Sequence, residues 1–121
     1  MDEGMVGVLQ NGTTKTAQLA IARGLAETCQ STNVTVNSVL PGPTASEGVT
    51  QFVSNLAAEN KISAKEFEKE FFRNARPTSI LRRFIEPDEI ANVVVFVCSP
   101  LASAINGAAV RADGGVVRAI G

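Results

Sequence analysis

The sequence has 121 residues, of which 19% are charged, and its 11 basic and 12 acidic side chains give a net charge of -1. This length allows one small domain, and the even balance of charge indicates no surface for nucleic acid or for an acidic membrane. No apolar run is long enough to span a bilayer, and the N-terminus carries no secretory signal. We therefore expect a cytoplasmic protein with neither kind of partner.

The residue types that are missing exclude several kinds of chemistry. The sequence contains no His, no Tyr and no Trp. Without His, Ser-His and Cys-His catalytic triads and His-ligated metal sites are excluded. Cys29 and Cys98 have no CxxC partner, so we expect no metal or redox site, and we expect both thiols to be buried.

The first third of the sequence predicts a helix followed by a strand. Residues 1–10 show a weak extended or loop pattern, whereas Thr13 to Gln30 favours a helix that is apolar on two sides and must be covered on both. The β-branched segment from Val34 to Leu40 ends at Pro41-Gly42-Pro43. This pattern predicts a strand buried on both faces, as in parallel sheets.

The rest of the sequence predicts helices and one more strand. Residues 47–60 place apolar side chains at helical spacing, and Ser63 with Glu66 forms a capping box that should start the next helix. The remaining predicted elements are a short turn of helix at Ser79 to Phe84, a helix from Pro87 to Ser99-Pro100, a strand from Ala108 to Ala112 and a loop at Asp113-Gly114-Gly115.

This order of elements is typical of an α/β fold with a few parallel strands and long helices. Two strands with unpaired edges, together with helices that are apolar on two sides, cannot bury their apolar surface within one chain of this length. The sequence therefore predicts an oligomer that completes the fold.

Three segments resemble the short-chain dehydrogenase/reductase family. They are Lys15 at the head of a small-residue helix, the strand that ends at Pro41-Gly42, and Pro87-Asp88-Glu89-Ile90-Ala91 followed by Asn106-Gly107 and Asp113-Gly114-Gly115. In this order and at these separations the segments are specific, and the resemblance covers the chain from about residue 5 to its end. It implies the C-terminal half of a Rossmann-like fold, a single half-sized domain over residues 1–121 that lacks the dinucleotide-binding half.

The resemblance also implies which residues correspond to the family's active site. Lys15 matches the lysine that binds the nicotinamide ribose and assists the catalytic tyrosine. The tyrosine position, four residues earlier, is Asn11, whose carboxamide cannot protonate an alkoxide. Lys15 is thus a remnant of the catalytic set. The loop that contacts nicotinamide in the family corresponds to Pro41, Gly42, Thr44 and Ser46.

The family's Gly-rich pyrophosphate turn and its catalytic serine have no counterpart here. Hydride transfer needs a cofactor held against a carbonyl and a proton donor. We therefore expect a homo-oligomer without independent NAD(P)-dependent oxidoreductase activity and without a cofactor of its own. Assembly in the family implies a homodimer or homotetramer formed through the Thr13–Gln30 helix, with Ala17, Ile21, Gly24 and Leu25 at the contact.

Two alternatives remain. The chain could be the substrate half of a split NAD(P)-dependent oxidoreductase, since it keeps the closing segment and the region that forms the family's substrate lid, here Phe67, Phe71 and Phe72. NAD(P) would then bind only when a separate nucleotide-binding chain completes the site. Ester hydrolysis by a serine is disfavoured, because the sequence has no Ser-x-x-Lys spacing and no histidine to act as the base.

Overall fold

A computed structural model describes residues 3–119, with side chains from Gly12 onward. In chain order the elements are α1 (Glu3–Thr28), β1 (Ser38–Pro41), α2 (Glu47–Glu59), α3 (Ala64–Asn74), α4 (Pro87–Val97), a 3-10 turn (Pro100–Ala102) and β2 (Ala109–Ala112). This order confirms the predicted α/β class. Across residues 3–119, no helix combines the length and apolar character needed to cross a membrane.

The beginning of α1 differs from the prediction. Residues 1–10 were expected to be extended or in a loop, but the helix already begins at Glu3. The residues from Thr13 onward favour a helix, and no proline interrupts the stretch before them. The helix can therefore extend toward the N-terminus, because each added residue contributes one backbone hydrogen bond.

β1 is shorter than predicted because the backbone groups of Val36 are bonded to Asn106 and Gly107. The amide N of Val36 donates to the side-chain oxygen of Asn106 (3.0 Å), and the carbonyl of Val36 accepts from the amide of Gly107 (2.9 Å). These bonds leave residues 34–37 outside the regular strand, which begins at Ser38.

β1 and β2 pair with each other as a parallel two-stranded sheet. The amide of Ser38 donates to the carbonyl of Ala108 (2.9 Å), and that of Gly42 donates to Ala112 (3.1 Å), so both strands advance in the same direction. The predicted burial of β1 on both faces is wrong for the single chain, because three of its four residues are half-buried and Pro41 is exposed. A sheet of only two strands leaves both faces of β1 partly exposed to solvent.

The segment from Ser79 to Phe84 forms bends and not the predicted turn of helix. The amides of Ile80 and Leu81 both donate to the carbonyl of Gly114, at 2.9 and 3.0 Å. The hydroxyl oxygen of Ser79 accepts the amide of Arg82 at 3.1 Å. These partners take the donors that a helix would have used.

The chain divides into two compact units. The first unit comprises Met1–Val39 and Phe96–Val110, and the second comprises Leu40–Val95 and Arg111–Gly121. In the first unit, Asn37 joins two segments distant in sequence, because its side-chain amide donates to the carbonyl of Ile105 (2.8 Å) and its oxygen accepts from the amide of Ala108 (3.0 Å). The thiols expected to be buried are half-buried at Cys29 and exposed at Cys98.

The second unit has an aromatic core. Phe72 is 1% exposed, and its ring lies 5.1 Å from that of Phe71 and 5.2 Å from that of Phe84, measured between centroids. α2 packs against α3 and contributes the buried side chains of Val53 and Ala57. Edge-to-face aromatic pairs of this kind stabilise a core beyond the area that they bury.

Polar side chains are hydrogen-bonded at the start of α3 and near the start of α4. The predicted capping box is confirmed, since Ser63 accepts from the amide of Glu66 (3.2 Å) and Glu66 accepts from the amide of Ser63 (2.9 Å). Near the start of α4, Arg83 donates two hydrogen bonds to the carboxylate of Glu89, at 2.7 and 2.8 Å.

Candidate functional site

The second unit contains a cavity of about 490 Å³. A volume of this size falls in the range of small-molecule sites. Most of its wall is apolar and comes from α2, α3 and the segment before α4, through Val49, Phe52, Val53, Phe67, Phe71 and Phe84. The strand-end loop, the turn after β2 and Arg76 supply the rest.

The strand-end loop runs from Pro41 to Thr44 and forms one side of the cavity. Position 42 requires glycine, because a Cβ there would lie 2.5 Å from the carbonyl oxygen of Asp113. Thr44 closes the turn by donating its hydroxyl to the carbonyl of Gly42 (2.9 Å). Ile85 ties the loop down, donating to the carbonyl of Pro43 and accepting from the amide of Ala45, both at 2.8 Å. The loop is therefore held by backbone contacts on two sides.

The turn after β2 lies against that loop and is organised by Asp113. One carboxylate oxygen accepts the amide of Gly115 (2.9 Å) and the other accepts the amide of Val117 (3.0 Å). The hydrogen bond from Val117 is the main reason that the pKa of Asp113 lies below its usual range, with a smaller contribution from Gly115. Gly115 has a φ of 76°, a conformation that suits glycine. Asp113 is thus an ionised carboxylate whose two oxygens both accept backbone amides.

Arg76 places a positive charge at the wall of the cavity. Its guanidinium carbon lies 5.9 Å from the centre of the Phe71 ring, within the range of a cation–π contact. One terminal nitrogen donates to the carbonyl of Ala75 (2.7 Å). Among residues 12–119, no carboxylate forms a salt bridge with Arg76, whereas Arg23 and Arg83 each have one.

Three of the four predicted loop residues lie together. Pro41, Gly42 and Thr44 all line the cavity. Ser46 has a different position, as the residue before α2, where its carbonyl accepts the amide of Thr50 (2.8 Å) and its side chain makes no capping hydrogen bond. It is therefore a helix-start residue.

The two residues at the positions of the family's catalytic lysine and tyrosine lie outside this unit. Lys15 belongs to the first unit, is exposed on α1 and donates to the side-chain oxygen of Gln18 at 3.4 Å. The side chain of Asn11 lies outside the part of the chain whose side chains are described.

The sequence identified the aromatic cluster but did not separate its members. Phe72 is a core residue, while Phe67 and Phe71 line the cavity. Phe52 was predicted only as one of the apolar side chains at helical spacing in residues 47–60, but it is 59% exposed and lines the cavity. Arg76 was missed altogether. The available signal was a single arginine between the end of α3 and Pro77.

Comparison with known proteins shows that the model of one family matches a range that includes every residue lining the cavity. Residues 5–117 match the family model described as Enoyl-(Acyl carrier protein) reductase. The chain is 53% identical over 107 residues to the uncharacterized oxidoreductase YvaG of Bacillus subtilis, covering 88% of this chain and 40% of that protein. It is 46% identical over 107 residues to the uncharacterized oxidoreductase YvrD of the same organism, covering 88% of this chain and 41% of that protein.

Solved structures share the fold. L-sorbose reductase from Gluconobacter frateurii superposes with a TM-score of 0.79 at 27% identity, over 89% of this chain and 40% of that one. The chain therefore spans about 40% of the length of the curated relatives that it matches.

Proposed function

Because the chain belongs to the short-chain dehydrogenase/reductase family, we propose that it is a half-sized, cytoplasmic member that binds a small ligand, assembles with copies of itself and has no independent NAD(P)-dependent oxidoreductase activity. The observation that carries this proposal is the cavity of the second unit. It keeps an aromatic wall and a firmly held strand-end loop, and its lining within the described part of the chain includes no Tyr, His or Lys that could donate a proton.

The polar groups of the cavity do not form a proton-transfer site. Reduction of a carbonyl needs a proton donor within hydrogen-bonding reach of the oxygen. The hydroxyl of Thr44 is already donated to Gly42, and Asp113 is an ionised carboxylate with both oxygens engaged by backbone amides. The sequence supplies no Tyr or His that could act instead.

The described helix starts also do not fit a dinucleotide. A pyrophosphate binds at a helix N-terminus that follows a Gly-rich turn, where the helix dipole favours negative charge. α2, α3 and α4 each carry acidic residues in their first turn, which repel a phosphate; these are Glu47, Glu66, Asp88 and Glu89. These acidic residues therefore disfavour a pyrophosphate at the starts of α2, α3 and α4.

The exposed face of α1 supports self-assembly. Ile21 and Leu25 are one turn apart on this helix, and their side chains are 62% and 52% exposed. Gly24 lies beside them with nothing within 4 Å of the position of a Cβ. A two-fold contact between two copies of this helix would cover both apolar side chains, and the small residue would let the helices approach closely.

Substitution of Gly24 by leucine tests this contact. The open space around Gly24 means that a larger side chain causes no clash within one copy. We expect Gly24→Leu to shift the protein to a smaller assembly, measured by sedimentation velocity at several concentrations. Gly12→Leu is the matched control, because Gly12 has equally open surroundings and lies about 120° around the same helix. An unchanged assembly in the Gly24 variant would place the contact elsewhere.

Titration of the purified chain into NADH or NADPH, followed by nicotinamide fluorescence, tests whether the chain alone binds the cofactor. The chain has no Trp or Tyr, so its own emission interferes little. We expect no saturable binding at concentrations about 100 times a typical micromolar constant. Saturable binding by the chain alone would contradict the proposal, because it would require a nucleotide site rebuilt at a contact between copies.

A second candidate is the substrate half of a split oxidoreductase, favoured by the aromatic cavity and the closing turn at Asp113. Under this hypothesis, co-expression with the N-terminal portion of YvaG would yield a complex that binds NADPH. A complex that fails to form, or that forms without binding NADPH, would count against this candidate and leave the first proposal in place.

A further inference from the structure

We propose that the cavity of the second unit binds an apolar carboxylate, with the hydrocarbon part against the phenylalanine wall and the carboxylate paired with the guanidinium of Arg76. This inference rests on the ligand-binding role proposed above. It names the chemical class of the ligand and the residue that selects it.

The phenylalanine wall of the cavity suits the hydrocarbon part of a ligand. Phe67 and Phe71 are half-buried, and Phe52 is 59% exposed although it lines a concave surface. An aromatic side chain that remains exposed in a concave site gains burial when an apolar ligand enters, at about 25 cal/mol for each Å² removed from water. The hydrocarbon part of the ligand therefore belongs against these rings.

Arg76 is the polar lining side chain that still has hydrogen-bond donors to offer a ligand. Thr44 has donated its hydroxyl to Gly42, and both oxygens of Asp113 accept backbone amides. Arg76 has five N–H donors, and one of its terminal nitrogens donates to the carbonyl of Ala75. Its remaining donors are available to a ligand, and two of them can bind a carboxylate side by side.

The charge at this position favours an anion over a neutral polar group. Arg83 is neutralised by its two hydrogen bonds to Glu89, but no such carboxylate pairs with Arg76 in the described part of the chain. The only acidic side chain of the wall is Asp113, which contacts the strand-end loop, while Arg76 contacts the Phe71 ring. The carboxylate of the ligand is therefore expected on the α3 side of the cavity, and the apolar end toward the loop.

Local structure holds the guanidinium at this place. The amide of Arg76 donates to the carbonyl of Phe71 (3.2 Å) just after α3 ends, and Pro77 follows and restricts the backbone. The contact with the Phe71 ring then orients the planar group. A positively charged group held in advance loses less freedom when the ligand binds.

The test compares octanoate with 1-octanol by isothermal titration calorimetry on the full chain. These probes share a hydrocarbon chain and differ in the charge of the head group. We expect octanoate to bind at least about tenfold more tightly than 1-octanol, because hydrogen bonds to charged groups are the stronger kind. Arg76→Gln should remove this preference by weakening octanoate about tenfold while leaving 1-octanol unchanged.

Two further variants complete the experiment. Arg73→Gln makes the same change of charge in the last turn of α3, three residues before Arg76, but Arg73 does not line the cavity, so octanoate affinity should stay within about twofold. Phe52→Ala should weaken both probes, because it removes a shared apolar contact. Circular dichroism confirms that each variant is folded.

The possible failures can be told apart. Equal binding of both probes, or an octanoate affinity that Arg76→Gln leaves unchanged, would overturn the carboxylate inference while the ligand-binding role stands. If neither probe binds to the folded chain, the ligand-binding role falls as well. If Arg73→Gln weakened octanoate binding as much as Arg76→Gln does, the preference would reflect the net charge of the chain, and this would also overturn the inference.

Discussion

The two compact units bury their apolar side chains to different degrees. The second unit surrounds Phe72 with two further phenylalanine rings and leaves it 1% exposed. In the described part of the first unit, the buried side chains are those of Ala26, Val97 and Ala102, all of them small. Two of its larger apolar residues, Ile21 and Leu25 on α1, remain exposed to water. The second unit therefore maintains its own core, whereas the first needs further cover.

The distribution of phenylalanine explains this difference. Of the six phenylalanines in the sequence, five lie between Leu40 and Val95, and the sixth is Phe96. Large rings cluster where α2, α3 and the segment before α4 meet, and α1 has alanine, glycine and isolated aliphatic residues in their place. Ligand binding is thus expected of the unit with the aromatic core, and self-assembly of the unit without one.

The largest expected effect on this contrast comes from Phe72→Ala. Removal of a fully buried ring should lower the free energy of unfolding of the second unit by about 3–5 kcal/mol. Hydrogen exchange measured by mass spectrometry should show loss of protection within Leu40–Val95 and a smaller change in residues 96–110.

Phe52→Ala is the control for the buried ring, because Phe52 is 59% exposed and its loss should cost less than about 1 kcal/mol. Equal loss of protection in both units after Phe72→Ala would contradict the view that the second unit maintains its own core, since it would show that the chain unfolds as one cooperative body.

A smaller effect is expected from Gly42→Ala. The new Cβ would lie 2.5 Å from the carbonyl oxygen of Asp113, which is backbone and cannot move aside alone. We expect a loss of about 1–3 kcal/mol in the free energy of urea unfolding. Octanoate binding should weaken as well, because the loop and the Asp113 turn both form the cavity.

Gly48→Ala is the matched control for this substitution. It adds the same methyl group within α2, where nothing lies within 4 Å, and should raise stability by up to about 1 kcal/mol. Loss of stability in both variants would argue against the close approach of the strand-end loop to Asp113.

The sequence predicted those parts of the fold whose signals are local. Ser63 and Glu66 are three residues apart and specify a helix start by themselves, and Pro41-Gly42-Pro43 ends the strand at the loop that lines the cavity. The segment from Ser79 to Phe84 could not be predicted in this way, because its conformation depends on the carbonyl of Gly114, far along the chain.

The residues of the candidate site also differ in whether a local sequence pattern could identify them. Pro41, Gly42 and Thr44 were identified because they lie next to each other at the end of a strand. Arg76 gave no such pattern, and its place at the cavity wall follows from the packing of Phe71. Helical spacing places Phe71 and Phe72 about 100° apart on α3, but it does not show which of the two is buried and which lines the cavity.

The smallest expected effect concerns Arg83 and Glu89, which join the start of α4 to the preceding segment in the second unit. The hydrogen bonds from Arg83, and next the amide of Glu86, lower the pKa of Glu89 from 4.5 to about 2. Since the pKa in the folded state is below that in the unfolded state, the ion pair stabilises the fold fully above pH 4.5 and is lost as the pH falls toward 2. Both side chains are 44% exposed, so solvent limits the gain.

Glu89→Gln should therefore flatten the dependence of the urea midpoint on pH between about 5 and 2. Some slope should remain, because the pKa values of Glu66 and Asp113 are also lowered, by hydrogen bonds from Ser63 and from Val117 respectively. Glu70→Gln, on the exposed side of α3, should keep the full slope of the parent chain. An equal slope in the parent and the Glu89 variant would mean that the pair with Arg83 does not persist in solution, and the stability of the second unit would then rest on its aromatic core and capping box.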